Sequence, residues 1–247
     1  MPAPVALTGR LVVLEPLAPH HAQGLAEASA GDSCHSFTPR PRGVRAARFY
    51  IAAALEQQET GTVLPFAVIR RTDNRIVGST RFLAMDYWQG PLTWPPAPRG
   101  PLGDHHTAAP DAAEIGGTWL CPDARGTGVN TEAKLLMLGH AFDIWQVRRI
   151  SMRADARNAR SRTAIERLGA VSEGIRRAHS RGLDGQIRDT AFYSILREDW
   201  PTVQEGIERR LTRTIKTATS SRATWSSSPN AAAATVGSVL RHPHLSG

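Results

Sequence analysis

Cysteine is nearly missing from this chain. Only Cys34 and Cys121 occur in 247 residues, with no Cys-x-x-Cys and no pairing pattern. That argues against a disulfide framework and suits a reducing compartment. Long apolar runs are also absent. No stretch approaches the ~18 residues of a membrane span, and the N-terminus lacks the basic-then-apolar order of an export signal. The expectation is a soluble, cytoplasmic protein without a membrane span. Acidic residues disappear after residue 211. Residues 212–247 carry Arg213, Lys216, Arg222 and Arg241 and no Asp or Glu, so half of the net charge of +8 sits in the tail. Internal repeats are absent as well.

What is present is enough for one domain with appendages: 41% hydrophobic residues support a sizeable core. Residues 10–14 read as a first strand, and 18–30 as a helix with Pro19 in its first turn. Residues 44–59 form a clearer helix, with Ala47, Ile51, Ala54, Leu55 and Gln58 three or four apart. Two strands, 63–70 and 76–85, flank a turn containing Asp73-Asn74. Residues 86–110 are rich in Pro and Gly, without period and long for a loop, so either functional or disordered. A strand over 113–120 leads into a helix over 129–144. Its face is Val129, Ala133, Leu136, Met137, His140, Ala141 and Ile144. Then follow a strand (149–154), a helix (161–168), two closing strands (171–178 and 189–196) and a last helix (198–211). The division is a domain over 1–211 and a Ser/Thr/Ala-rich tail over 212–247, expected to be disordered. Strands interleaved with helices make the class α/β with a mixed sheet.

Between the strand ending near Cys121 and the next helix lies Arg125-Gly-Thr-Gly128-Val-Asn-Thr131-Glu. A glycine turn entering a helix leaves main-chain N–H groups without partners at the positive end of the helix dipole, a setting for phosphate. The P-loop pattern is not met, and the third glycine of a dinucleotide fingerprint is replaced by Thr131. Arg-x-x-Gly-x-Gly/Ala resembles the acetyl-CoA loop of the GCN5-related N-acetyltransferase (GNAT) family. Arg125 and Gly128 match it, and Asn130 replaces its last Gly/Ala. A second segment, Asn158-Ala-Arg-Ser161 running on to Ile165-Glu-Arg-Leu168-Gly169-Ala170, resembles the family's Asn-x-x-Ser…Lys-Leu-Gly-Phe, at the distance that one helix and one strand fill. The resemblance covers roughly residues 7–210 and is strongest to the branch that acetylates ribosomal-protein N-termini.

The resemblance implies the GNAT fold: a mixed sheet of about six to seven strands, splayed into a V between its two central strands and flanked by helices. It also implies acetyl-CoA as cosubstrate, no metal, and direct attack of an amine on the thioester. Arg125, Gly126, Thr127, Gly128, Val129, Asn130 and Thr131 would hold the pyrophosphate, and Asn158 the pantetheine arm. Asn158 is equally a helix N-cap. Ser161 would donate a proton to the leaving thiolate or bond the cofactor, or is simply a polar first-turn residue. Many relatives place a Tyr where this chain has Ile165. Main-chain N–H groups of Leu120 or Cys121 would stabilise the oxyanion. Cys121 itself reads as a small buried apolar residue.

Glu114, on the strand before the turn, is the candidate general base. Its competing role is a structural carboxylate paired with an arginine. Asp104, His105, His106 and Asp111 have metal-ligand types without recognised spacing and read as a solvated loop. Trp88 and Trp94 either wall the acceptor site or cover the sheet edge. The resemblance favours a peptide or protein N-terminal amine as acceptor, and a small-molecule amine stays open. A non-catalytic acyl-CoA sensor is the alternative of another class, its basic tail meeting ribosome or RNA. Either a monomer or a homodimer is compatible with the sequence.

Overall fold

The computed structural model describes residues 2–31, 37–88 and 109–226. One mixed sheet of eight strands runs through it in the order β1-β2-β3-β4-β5-β6-β8-β7. The strands are β1 (Leu7–Thr8), β2 (Val12–Pro16), β3 (Leu64–Arg70), β4 (Arg75–Asp86), β5 (Ala112–Leu120), β6 (Arg149–Asp155), β7 (Val171–Arg181) and β8 (Ile187–Leu196). The helices are α1 (Ala22–Ala30), α2 (Gly43–Glu59), α3 (Val129–Gly139), α4 (Ala159–Glu166) and α5 (Trp200–Ser226). Among the described residues no helix is long and apolar enough to cross a membrane.

Strand β3 is buried almost throughout, as its unbroken Leu-Pro-Phe-Ala-Val-Ile run requires of a strand covered on both faces. Helix α2 turns Ala47, Ile51 and Ala54 inward, and α3 turns Val129, Ala133, Met137 and Leu138 inward. Phe82 packs at a tilt against Trp145 with ring centroids 4.6 Å apart, and Phe142 stacks on Trp200 at 5.4 Å.

Several boundaries differ from the sequence reading, for local reasons. The first main strand begins at Val12 rather than Arg10, preceded by a two-residue strand that raises the count to eight. The helix after the glycine turn passes into a π-turn over His140–Ile144, where Trp145 N–H reaches the His140 carbonyl, and this leaves Ile144 68% exposed. The last helix does not stop at Leu211 but continues to Ser226. Its threonines are not helix-breaking here: the hydroxyls of Thr212, Thr214 and Thr217 donate to the carbonyls of Glu208, Arg210 and Arg213, one turn back. Most of the Pro/Gly-rich loop, with Trp94, Asp104, His105 and His106, lies outside the described residues, as does the tail beyond Ser226. The ends of that loop are pinned, since Asp111 N–H donates to the Asp86 carbonyl and Trp88 N–H to the Asp111 carboxylate at 2.7 Å.

Strands β5 and β6 are the one parallel pair in the sheet, and they position the site. They pair only over Ala112, Ala113 and Glu114 with Arg149, Ile150 and Ser151, then diverge. The V-shaped splay therefore opens between Ile115–Leu120 and Met152–Asp155.

Candidate active site

The cleft in the splay has a volume of about 600 Å³. One wall is β5, Ile115 through Leu120. It carries a bulge against β4 between Ser79 and Arg81, with Gly117 at φ +58°. A side chain at 117 would meet Arg81 Nε at 2.9 Å, so glycine is required there for both reasons. The opposite wall is Met152 and Arg153 of β6 with Asn158, Ser161 and Ile165 of the α4 segment. Phe37, Thr38 and Arg40, between α1 and α2, close one side.

At the mouth of the cleft the chain turns from β5 into α3. Gly126 and Gly128 take left-handed conformations, φ +75° and +91°. Glu132 is the first residue of α3 whose N–H is answered by the main chain, by Gly128 at 2.9 Å. The preceding N–H groups stand at the helix's positive end. Of the loop residues expected to bind, Arg125, Gly126 and Asn130 line the cleft, whereas Thr127, Gly128, Val129 and Thr131 do not. Val129 is buried in the core. The Thr127 hydroxyl donates to the Ala124 carbonyl at 2.7 Å, which shapes the turn. A Cβ at Gly128 would point at Leu11 and Thr214, away from the cleft. Arg125 Nε donates to the Leu120 carbonyl, which fixes the loop to β5, and the Asn130 Oδ1 is buried without a partner among the described residues.

The electrostatics of the lining are one-sided. Arg40, Arg125, Arg153, Arg157, Arg160 and Lys134 face the cleft, and among the described residues no carboxylate lines it. Such a wall focuses a positive potential on whatever enters. Arg157 is held by Asp155 at 2.8 Å and Asp184 at 2.7 Å, and its cation also sits over the Phe37 ring. Asn158 caps α4: its Oδ1 accepts the Ser161 N–H at 3.1 Å, which leaves its amide NH₂ to donate to a ligand. Ser161 lines the cleft beside Ile165. Tyr193, the large buried tyrosine behind α4, has its hydroxyl committed to Glu166 and Arg162.

One expectation on the chemistry changes. The Cys121 N–H donates to the Val77 carbonyl at 2.8 Å, so sheet pairing removes it as an oxyanion donor. Leu120, one residue back, turns its main chain to the other side, where the cleft lies. The Cys121 thiol is pushed up to about 11, first by burial and then by its bond to Asp123, and is inert as a nucleophile. Glu114 is 8% exposed and bound to Arg153 Nε at 2.9 Å. It lies at the vertex of the splay rather than in the cleft lining. Burial raises its pKa above the usual carboxylate range, against the opposing pull of Arg153 and Arg188. Both roles expected of Glu114, base and arginine partner, are compatible with one carboxylate here.

Two buried charged residues of α3 were not anticipated. Glu132 accepts the N–H groups of Arg10, Leu11 and Val12 at 2.9, 2.6 and 2.9 Å, tying the start of β2 to the glycine-turn helix. Lys134 is buried and donates to the Thr80 and Thr118 hydroxyls at 2.8 and 2.7 Å. The available signal was position: charges next to Ala133, on a helix face otherwise apolar.

A family model described as acetyltransferase (GNAT) domain matches residues 11–171. YdaF of Bacillus subtilis (strain 168), named as a candidate ribosomal N-acetyltransferase, is 32% identical over 88 residues. Those residues are 36% of this chain and 47% of the relative, so the match spans about half of that curated protein. Among solved structures, a GCN5-related N-acetyltransferase from Brucella melitensis is 27% identical with a TM-score of 0.69, covering 85% of this chain and 86% of its own. A candidate acetyltransferase from T. thermophilus is 30% identical with a TM-score of 0.66, covering 85% and 99%.

Proposed function

Because this chain belongs to the GNAT acetyltransferase family, we propose that it moves an acetyl group from acetyl-CoA to a primary amine, an N-terminal amine of a protein or peptide. The observation that carries the cosubstrate is the cleft lining: six cationic side chains, no carboxylate among the described residues, and an open helix N-terminus at the mouth. A thioester carrier with a pyrophosphate and a third phosphate meets those charges. A neutral or cationic ligand has no reason to. A ribosomal acceptor is supported by the name of YdaF, a candidate ribosomal N-acetyltransferase, and the choice of its N-terminal amine rests on the sequence resemblance.

In this reading Gly126, Asn130 and the first N–H groups of α3 hold the pyrophosphate, with Arg125 and Arg160 adding charge. The pantetheine arm runs down the open edge of β5, opposite Asn158 and Ser161. The thioester lies at the Gly116-Gly117 bulge. Main-chain N–H groups between the bulge and Leu120 hold the oxyanion. Glu114, at the vertex, takes the proton that the amine loses, directly or through a water. Holding both reactants in the splay supplies much of the rate.

The test is an acceptor screen. Acetyl-CoA is offered with peptides of free N-terminal Ser, Ala or Met, with spermidine and with kanamycin, and released thiol is followed. Turnover on a peptide supports the proposal, and turnover on kanamycin or spermidine alone replaces the acceptor class. Calorimetry that registers CoA binding with no turnover on any amine turns the protein into an acyl-CoA binding module.

A further inference from the structure

The family's usual tyrosine acid is absent, with Ile165 in the cleft at its place, and Tyr193 is engaged elsewhere. Another proton carrier sits in the same cleft. We infer that Lys134 protonates the departing CoA thiolate, its ammonium group held in the cleft wall by Thr80 and Thr118. This rests on the acetyl-transfer reading.

Four observations support it. The sequence has 28 arginines but only two lysines, Lys134 and Lys216. Among the described residues, the one buried cation of the cleft is thus a residue that can give up its proton, where arginine cannot. Lys134 is buried but not sealed off, at 6% exposed, and lacks a carboxylate partner among the described residues: its hydrogen bonds go to hydroxyls, which leave its charge uncompensated. Two of its three N–H bonds go to Thr80 and Thr118, and the third has no acceptor among the described residues, while the side chain lines the cleft. Finally, burial alone pulls its pKa down to about 7, where an acid both holds and releases a proton at neutral pH.

From β4 Lys134 meets Thr80 and from β5 Thr118, and neither ionises in the working range. Across the cleft stand Arg153 of β6, Arg157 after it, Arg160 of α4 and Arg40 between α1 and α2, all permanently charged. A thiolate formed there meets cations, and Lys134 is the one among them that can transfer a proton. The step balances. The amine nitrogen bonds the acyl carbon and loses one proton to Glu114. The C–S bond breaks with its electron pair on sulfur, and that sulfur takes one Nζ proton. As the thiol leaves, Glu114 releases its proton to solvent and neutral Lys134 regains one, which restores both groups.

The substitution that tests this is Lys134→Met. Methionine keeps the length of the side chain, and Thr80 and Thr118 already bond each other at 2.8 Å, so neither is orphaned. With acetyl-CoA and the best amine of the screen, kcat falls about 100-fold while KM for acetyl-CoA moves less than about threefold. The fall of wild-type kcat above neutral pH disappears in Lys134→Met and Lys134→Arg. Independently of any acceptor, ¹⁵N-lysine spectra of the wild type contain two side-chain signals, and one titrates near neutrality. The inference is overturned by a Met variant with wild-type kcat and pH profile, or by a rise in KM at constant kcat, which makes Lys134 a holder of the pantetheine arm. It is also overturned by an acetyl group found on Lys134, or by both lysine signals staying charged to about pH 10, near the ordinary lysine value. A wild type that acetylates no amine overturns the acetyl-transfer reading as well. An active wild type with an unaffected Met variant overturns only this step.

Discussion

Replacing Glu132 with alanine isolates the device that holds the helix after the glycine turn to the sheet. Its carboxylate accepts three main-chain N–H groups, those of Arg10, Leu11 and Val12, and among the described residues no cation is paired with it. A bond to a charged acceptor is worth ~1.5–3 kcal/mol, and a buried donor left unpaired costs ~1–3 kcal/mol. Val12 is buried and bears that cost fully, whereas Arg10 is exposed and Leu11 half-buried, so water recovers part of theirs. The expected loss for Glu132→Ala is therefore about 3–5 kcal/mol, a large share of the ~5–15 kcal/mol that a domain has. At ~2–4 °C per kcal/mol for this size, Tm falls by roughly 6–20 °C. Glu132→Gln keeps one acceptor oxygen but turns an NH₂ toward donors, and lands at about half the loss. Gly9→Ala is an independent check, since its Cβ would come within contact of Glu132 Oε2. Urea and thermal unfolding measure all three. A Glu132→Ala protein within about 1 kcal/mol of wild type would refute the reasoning, because water would then be satisfying the β2 amides as well as the carboxylate does.

Glu114→Gln lowers kcat about 100-fold with acetyl-CoA affinity unchanged. Because burial raises the Glu114 pKa, the acid limb of the wild-type profile lies above the ordinary carboxylate range, and it is lost in the variant. Identical profiles would leave Glu114 a partner of Arg153 only. Asp155 is held below its ordinary pKa by Arg157, so the pair stabilises the fold above the unfolded value of ~3.9 and the benefit fades as pH falls through the lower folded value. Asp155→Asn therefore costs about 1–2 kcal/mol from pH 5 to 8, with a gap that closes in acid, as urea midpoints at pH 3 and 7 will show. Gly126→Asp puts a carboxylate at the cleft mouth, where a Cβ meets nothing within 4 Å. CoA affinity drops at least about tenfold, at ~1.4 kcal/mol per decade, in a protein that still melts cooperatively. Unchanged affinity by calorimetry would move the phosphate site elsewhere.

Much of the fold was legible because its signals are local. The period of residues 44–59, the turn around Asp73-Asn74 and the glycines before residue 129 each report a backbone preference, and each appears within a residue or two of its expected place. The Asn158 cap was equally readable, since one side chain serves one N–H three residues on. Residues 212–226 differ from the structureless tail expected of their composition, because composition says nothing of i−4 hydroxyl bonds in a helix already started by Val203, Ile207 and Leu211 on the core.

The amino-acid order alone settled that a strand, a glycine turn and a helix follow one another here, because φ signs, caps and periodicity act over a few residues. It could not settle which groups share the cleft. Glu132 meets residues more than a hundred positions earlier, Lys134 meets Thr80 across 54, and Cys121 spends its amide on Val77. Those meetings depend on strand register and on where β5 and β6 part, which are properties of the packed sheet. Burial then assigns each charged group its chemistry: the same lysine on the solvent face would be an ordinary cation.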